Sequence, residues 1–397
     1  MLKETMQKIL ETQTSPAAPA NEVTRLLATE LTLRKEMALV LTGIRRCGKS
    51  TLQTQLMRKY RRAFYCNFDD IRFAGMTIED LALWVEVFQE IVPADTSIFL
   101  DEVQEVEGWQ RIVRSLLDAG RKVCVTGSNA SLLGVDLGTK LTGRHESRTV
   151  WPFCYSEYLE AAGQARNGES LQAFLDDGGF PGYLRERRET LLNDLLHDVL
   201  LRDVVSRNRL RDVRHLRNLL LYLAANTGLP VSMQKLTKNL GIPSVGETSR
   251  YLEYLRDAYL LFETPKYSSS FRKRVVAPPK YYVVDNGLRR VISPQTTPDH
   301  GRRLENAVAM ELLRRGEAPF YAAERDLWEC AFVARDTVWQ VCWRLTEENS
   351  AREIRGLLEA GKQSRAKRMV ILTRDQKQTL RQNGETIKII PAWEWLG

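Results

Sequence analysis

Four groups of residues in this sequence have the types and spacing for chemistry on a phosphorylated ligand. The first is Gly43-Ile44-Arg45-Arg46-Cys47-Gly48-Lys49-Ser50, followed by Thr51. Its glycines let the backbone turn tightly and bring successive N–H groups up to phosphate oxygens. A helix starting there adds its partial positive charge. Lys49 is then expected to reach the β- and γ-phosphates of ATP, and the Ser50 hydroxyl to sit on Mg²⁺. The second group is Asp101-Glu102. Asp101 is placed to hold Mg²⁺ through its water shell, and Glu102 to orient or deprotonate an attacking water. The third is Thr126-Gly127-Ser128-Asn129, where Asn129 or Ser128 is expected to sense the γ-phosphate or the water, unless it only caps a helix. The fourth is Arg144, closing Leu141-Thr142-Gly143-Arg144 just before a strand. It is expected to point out of its own subunit and stabilise transition-state charge on a neighbour's nucleotide, an effect worth about 10³–10⁵ in rate where measured. The simpler alternative is a solvated arginine or a helix C-cap partner. Lys49, Asp101, Glu102, Asn129 and Arg144 form the expected catalytic set, with ATP and Mg²⁺ as ligands and a homo-oligomer as the working form.

These groups need a scaffold that gathers them, and the hydrophobic pattern supplies one. Leu39–Thr42 is an apolar, β-branched run leading into the glycine loop, and Leu52, Gln55, Leu56 and Lys59 continue it with helical spacing. Ala63–Phe68, Ser97–Leu100, Lys122–Thr126 and Arg148–Trp151 read as further strands. Between them lie helical patterns carrying Trp84, Val87, Phe88 and Ile91, then Trp109, Ile112, Val113, Leu116 and Leu117. Short apolar runs alternating with amphipathic helices predict a parallel sheet covered on both faces, with sites at the carboxyl ends of its strands.

The rest of the chain reads as smaller modules. Residues 1–35 are expected to hold N-terminal helices broken by Ser15-Pro16-Ala17-Ala18-Pro19. Residues 36–152 form the expected ATPase core and 153–212 a helical lid, interrupted by Asp176–Gly182. Residues 213–300 show helix, turn with Gly241, helix, then two strands around a basic Ser-rich tip, the order of a winged helix-turn-helix. Its candidate recognition helix offers Glu247, Thr248, Ser249, Arg250, Glu253 and Arg256, a face of mixed sign. Lys266, Arg272, Lys273 and Arg274 make the wing basic, and Arg202, Arg207, Arg209, Arg211 and Arg214 precede it. That pattern suits non-specific contact with phosphates of double-stranded DNA better than base readout, or else charges that are merely solvated. Residues 301–397 are mixed, with helices over 302–315 and 351–361 and strands near 329–345, 368–373 and 387–391.

Composition bounds the class. The 397 residues are 43% hydrophobic and 27% charged, ordinary for a globular protein with room for two or three domains. No apolar run approaches a bilayer span, and the N-terminus lacks a signal-peptide core. Six cysteines without a C-x-x-C fall mostly in apolar runs, which predicts reduced, buried thiols and a cytoplasmic location. For Cys47 a buried neutral thiol is the expectation rather than a redox switch. The net charge of +8 permits a polyanionic partner, and nothing in the sequence calls for a membrane.

The order of these motifs resembles the AAA+ ATPases, and within them a prokaryotic group whose P-loop reads Gly-x-Arg-Arg-x-Gly-Lys-Ser/Thr. The resemblance includes Asp101-Glu102-Val103-Gln104, Thr126-Gly127-Ser128, Leu141–Arg144 and Trp151–Leu159. It extends to Gly178-Gly179-Phe180-Pro181 and the segment Lys280–Leu288, so it covers nearly the whole chain. It implies an α/β fold: an AAA+-type P-loop sheet with a helical lid, then a winged helix and a C-terminal domain of unknown function resembling restriction nucleases. Nuclease-active relatives of that last fold hold Mg²⁺ with an acid on one strand and Glu-x-Lys on the next. Here Glu305 matches the helix position, while Ala331, Gln340 and Cys342 stand near the metal-binding and catalytic places. Neutral residues there hold a hard cation poorly, so a degenerate, inactive nuclease domain is expected. Two roles for the C-terminal half stay open: ATP-coupled DNA binding or handling, or an ATP-switched regulator or scaffold that binds protein. Arg185 is one of several candidates for a lid arginine.

Overall fold

A computed structural model describes residues 1–18, 21–128, 141, 143–210, 212–294 and 299–397. The chain divides into two compact units, Met1–Trp151 and Pro152–Gly397.

The first unit is built on five parallel strands: β1 Ala38–Thr42, β2 Ala63–Asn67, β3 Ser97–Asp101, β4 Val123–Gly127 and β5 His145–Thr149, in the spatial order β2-β3-β4-β1-β5. The three central strands are buried along their whole length, which is why they read as continuous apolar runs. Helices α1 Lys3–Glu11, α4 Ile78–Ile91 and α5 Trp109–Asp118 share one core with Ala38, Val40, Ile98, Leu100, Val123 and Val125. The alternate residues Leu39, Leu41, Phe99 and Cys124 are buried too, so the sheet is covered on both faces. Thr77 caps α4 in a reciprocal box with Asp80, and Trp84 stacks on Phe88 at 5.1 Å. Helix α3, Lys49–Met57, follows β1, and the short α2, Leu26–Glu30, precedes it.

Two expectations shift here. The fifth strand runs over 145–149 instead of 148–151, because Ala38 to Thr42 pair with His145 to Thr149 along an edge whose residues are polar and half-buried. A polar edge strand leaves no apolar run to read. Among the expected N-terminal helices, the second is only five residues long, Leu26–Glu30. Val23 and Arg25 are instead tied to α3, Gln55 donating to the Val23 carbonyl (2.9 Å) and accepting the Arg25 N–H (3.0 Å).

The second unit opens with α6 Tyr155–Ala162, α7 Gly168–Asp177, α8 Pro181–Glu186 and α9 Thr190–Asp198, which runs into a π-helical stretch Val199–Ser206. Next come α10 Arg214–Ala225, α11 Met233–Leu240 and α12 Val245–Asp257, then the antiparallel pair β6 Leu261–Thr264 and β7 Lys280–Val283. The basic, Ser-rich tip expected between these strands carries a six-residue helix, α13 Phe271–Val276. After α14 Asn286–Ile292 and α15 His300–Arg314 comes a six-stranded sheet of order β12-β13-β11-β10-β9-β8. Its strands are β8 Phe320–Glu324, β9 Trp328–Ala334, β10 Thr337–Val341, β11 Arg368–Thr373, β12 Gln378–Gln382 and β13 Glu385–Pro391. Helix α16, Glu347–Ser364, packs across β9 and β10, and α17, Ala392–Trp395, ends the chain.

Candidate nucleotide-binding site

The glycine loop leaves β1 at Thr42 and turns back through three left-handed or glycine-only conformations. Gly43 has φ +144°, and a Cβ on it would lie 2.1 Å from the Val150 carbonyl. Arg46 has φ 60°, and Gly48, the N-cap of α3, has φ 99°. Inside the curve the Lys49 ammonium, 4% exposed, donates to the carbonyls of Gly43 (3.0 Å) and Ile44 (3.1 Å). Arg45 and Ser50 are half-buried and Arg46 is exposed. Cys47 donates its thiol to Val150 O (3.2 Å), and burial pushes that thiol's pKa up, the neutral state the sequence predicts. Arg25 clamps the loop from outside: its guanidinium donates to Cys47 O and Trp151 O, both at 2.7 Å. Nothing in the sequence marked Arg25, whose neighbours read as one more amphipathic helix.

The acids lie at the carboxyl end of β3, separated from β1 by β4. Gln53 of α3 donates to Leu100 O (3.1 Å), which ties the loop's helix to the acid strand. Asp101 is 3% exposed and accepts from the Tyr65 hydroxyl (2.8 Å) and from Thr126. Burial, then the Asp101 charge, holds the Tyr65 hydroxyl far above its ordinary pKa, so it stays a donor. Thr126 in turn accepts the Glu102 N–H (3.1 Å), joining the two acids through one hydroxyl. Glu102 itself is left-handed (φ 50°, ψ 46°). Its carboxylate accepts from the Gln104 amide and from the Ser128 hydroxyl (3.1 and 3.3 Å). Ser128, read as one of two possible sensors, thus touches Glu102 directly. Asn129 lies outside the described residues, as does Thr142.

These donors fit a nucleotide and its cation. Loop N–H groups and Lys49 suit phosphate oxygens, and Ser50 with Asp101 offers the hard oxygen ligands that Mg²⁺ takes alongside waters. All four groups that hold Asp101 and Glu102 are neutral, so they orient the carboxylates without cancelling their charge.

Arg144 is not brought to this site within the chain. Its carbonyl accepts from Ala38 N–H (3.0 Å), placing it at the amino end of β1 and β5. Five residues of strand, at about 3.3 Å each, separate that edge from the glycine loop. There its guanidinium donates to Asp118 (2.5 Å) and Glu36 O (3.3 Å).

In the second unit, Glu305 on α15 accepts from Lys280 (3.2 Å) and the Tyr282 hydroxyl (2.7 Å), and Lys280 also reaches Glu329 (2.6 Å). Lys280 is fully buried. Burial alone would lower its pKa, but the charges of Glu305 and Glu329 outweigh it and hold the ammonium above its ordinary value. Ala331 donates its N–H to Gln340 (2.9 Å), whose amide donates to Glu353. Burial pushes the Cys342 thiol up to about 12. Among the described residues, no group of three or more His, Cys, Asp or Glu is arranged to hold a metal ion.

Two other expectations change in this unit. Thr248, assigned to the exposed face of α12, is buried and bonded to Thr237 (2.8 Å). Glu247 is half-buried and accepts from Tyr251 (2.6 Å), which leaves Ser249, Arg250, Glu253 and Arg256 outward. Arg272 and Lys273 are exposed on α13 beside Phe271, Val275 and Val276. Arg202, Arg207, Arg209 and Arg214 are exposed as well, while Arg211 lies outside the described residues. Arg185 is exposed near Glu186 (3.5 Å). The glycines of Gly178-Gly179-Phe180-Pro181 close on Asp285, which accepts from Gly179 N–H (2.6 Å) and caps α14 through Leu288 N–H (3.0 Å).

Comparison with known proteins bears on both units. Residues 35–159 match the family described as AAA domain, and residues 168–299 a Domain of unknown function (DUF8612). The chain is 32% identical over 319 residues to an uncharacterised protein of Haemophilus influenzae, covering 75% of this chain and 79% of that one. It is 29% identical over 400 residues to an uncharacterised protein of Methanocaldococcus jannaschii, covering 92% and 89%. Among solved structures it aligns with C. elegans PCH-2 at 11% identity and TM-score 0.25, over 43% of this chain and 44% of that one. It aligns with AMPPCP-bound DnaA from Aquifex aeolicus at 12% identity and TM-score 0.29, over 58% and 86%. Scores that low fix no shared architecture. Among the described residues, no helix is long and apolar enough to cross a membrane.

Proposed function

The chain belongs to the AAA family of ATP-binding proteins with a C-terminal domain of unknown function, and from that premise we propose that it hydrolyses ATP. The observation that supports hydrolysis is the Thr126 bridge: one hydroxyl holds Asp101 and fixes the backbone of Glu102 at the carboxyl edge of the sheet. Lys49 exchanges the carbonyls of Gly43 and Ile44 for phosphate oxygens. Glu102 orients the attacking water and takes its proton on a carboxylate oxygen. Ser128 holds that carboxylate, and Asn129 beside it senses the γ-phosphate. Mg²⁺, held by Ser50 and Asp101, would neutralise charge developing on the phosphate oxygens. Arg144 sits at the wrong edge of the sheet for its own nucleotide, which supports its acting on a neighbouring subunit in a homo-oligomer. All six cysteines are free and buried, as suits a cytoplasmic protein.

For the C-terminal half, residues 153–212 serve as a lid, 213–300 as a winged helix and 301–397 as a nuclease-like domain without nuclease activity. A partner in double-stranded DNA, contacted without sequence preference, is favoured by the stretch Pro265–Ala277, which carries four Lys or Arg and no acid. The test is ATP turnover across a protein concentration series, with and without duplex DNA, beside Glu102→Gln and Arg144→Ala. Turnover that rises with concentration, needs both residues and is stimulated by DNA is the expected result. Turnover indifferent to DNA, with a protein recovered on the C-terminal half, would instead favour an ATP-switched scaffold. Tight ATP binding with negligible turnover in every condition would overturn hydrolysis.

A further inference from the structure

Glu102 is the residue on which the proposed hydrolysis turns, and its setting is strained. A non-glycine residue in the left-handed region costs on the order of 1–3 kcal/mol and persists only where its surroundings impose it. The strain comes where the chain leaves β3 and winds into a single 3₁₀ turn, Val103–Glu105. Within that turn the Gln104 amide nitrogen donates to the Glu102 carboxylate and reaches Glu105 at 3.3 Å. A carboxylate only accepts, so this contact fixes which end of the amide faces it. The other end, Gln104 Oε1, is buried and has no hydrogen-bond partner among the described residues. Leaving a buried acceptor unmatched costs about 1–3 kcal/mol, so the turn is poorly built if its purpose is stability alone.

We infer that Gln104 is a positioning residue for Glu102. Its nitrogen, with the Ser128 hydroxyl, sets the rotamer of the carboxylate. A carboxylate accepts the proton of an attacking water along one direction, so its rotamer has to be held before the step. In the step itself the water oxygen forms a bond to the γ-phosphorus while the bond to the ADP oxygen breaks and its electron pair leaves with ADP. The proton passes from water to Glu102 and then to the phosphate released. Gln104 gains and loses none.

This inference rests on the ATPase reading, and the experiment separates the two. Glu102→Gln, Gln104→Leu and Gln104→Met are compared with the double variant Glu102→Gln/Gln104→Leu, measuring kcat, KM and affinity for a fluorescent ATP analogue. The expected result is a kcat lowered about 10- to 100-fold in both Gln104 variants, with KM and analogue affinity within about twofold. In the double variant, Gln104→Leu should cost nothing beyond Glu102→Gln, because there is no carboxylate left to position. Turnover within about twofold of wild type in the Gln104 variants, while Glu102→Gln is inactive, would overturn the role of Gln104 and leave the ATPase reading intact. Loss of analogue affinity in the Gln104 variants would overturn that role as well, since Gln104 would then be holding the fold of the loop. A wild-type protein that binds the analogue but never turns over would overturn both.

Discussion

Asp101 with Glu102 in the first unit, and Glu305 with Glu329 in the second, are each a pair of acids gathered at a sheet. Their surroundings answer the charge in opposite ways. Tyr65, Thr126, Ser128 and Gln104 hold the first pair with neutral donors, which direct the oxygens but leave both negative charges standing. Lys280 sits between the second pair and cancels charge directly, with Tyr282 adding a neutral bond to Glu305. A pair of acids held by neutral donors, as the proposed cation site would need, and a charge cluster closed on an internal cation therefore look alike as lists of acids. The donors beside them tell the two apart.

The sharpest way to break this contrast is to remove one carboxylate from each. Glu102→Gln should lower ATP turnover about 10²–10⁴-fold while ATP binding persists, the usual scale for loss of a general base. Glu305→Gln should leave turnover unchanged and should leave DNA incubated with Mg²⁺ uncut, as in the wild type. Mg²⁺-dependent cleavage abolished by Glu305→Gln would make the second pair a catalytic site and erase the distinction.

Removing the internal cation tests the other side. Lys280→Met leaves two carboxylates facing each other, with Glu305 18% and Glu329 49% exposed. Breaking a fully buried pair costs about 3–5 kcal/mol, and solvent at Glu329 reduces this to about 1–3 kcal/mol. Urea unfolding should show that loss, and Lys280→Met/Glu305→Gln should recover part of it because one unpaired charge is gone. A loss below about 1 kcal/mol would mean that water reaches Lys280 in solution.

Asp285 sharpens the comparison because it is a deeply buried acid whose hydrogen bonds, among the described residues, come from backbone N–H groups, with the charge of Arg314 acting on it as well. Burial raises its carboxyl to about 6, against the downward pull of the N–H groups of Gly179, Leu288 and Gly287. In the unfolded chain an aspartate titrates near 3.9. The folded state therefore binds the proton more tightly, so this group favours folding most below about pH 4. That contribution is lost as pH rises through about 6, by roughly 3 kcal/mol in all. The stability of wild type relative to Asp285→Asn should fall across that window and level off above it. A constant difference from pH 4 to 7 would mean that Asp285 stays ionised throughout.

What could be read in advance follows from how local each feature is. The glycine loop, Asp101-Glu102 and the strand-helix alternation are legible because each is encoded within a dozen neighbouring residues. Tyr65, Thr126 and Gln53 acquire their roles only through strand order: Asn67 pairs with Asp101, and β4 lies between the loop strand and the acid strand. Arg25 is a lone cation in an amphipathic stretch until its bonds to the carbonyls of Cys47 and Trp151 are seen. The strands β8 and β12 lie at the two edges of their sheet, and β12 with its run Gln-Thr-Leu-Arg-Gln has no apolar pattern to detect. Thr248 reads as polar and outward, yet its hydroxyl finds Thr237 and the Ser244 carbonyl and so can be buried.

The smallest expected effect belongs to Asp118, and it bears on Arg144. Their contact is short, but the side chains are 35% and 57% exposed. Exposed pairs of this kind contribute about 0–1 kcal/mol. Asp118→Asn should therefore move unfolding stability by less than about 0.5 kcal/mol. If Arg144 serves a neighbouring subunit, it must exchange Asp118 for that subunit's nucleotide, and the energy of the pair is subtracted from assembly. Releasing it should then lower the protein concentration giving half-maximal turnover by up to about twofold, the equivalent of about 0.5 kcal/mol, without raising the maximum. Arg144→Ala should do the reverse, leaving stability alone and removing turnover at every concentration. Should Asp118→Asn abolish turnover instead, Arg144 would act only while Asp118 holds it, and Asp118 would be a support for Arg144 in place of a weak competitor.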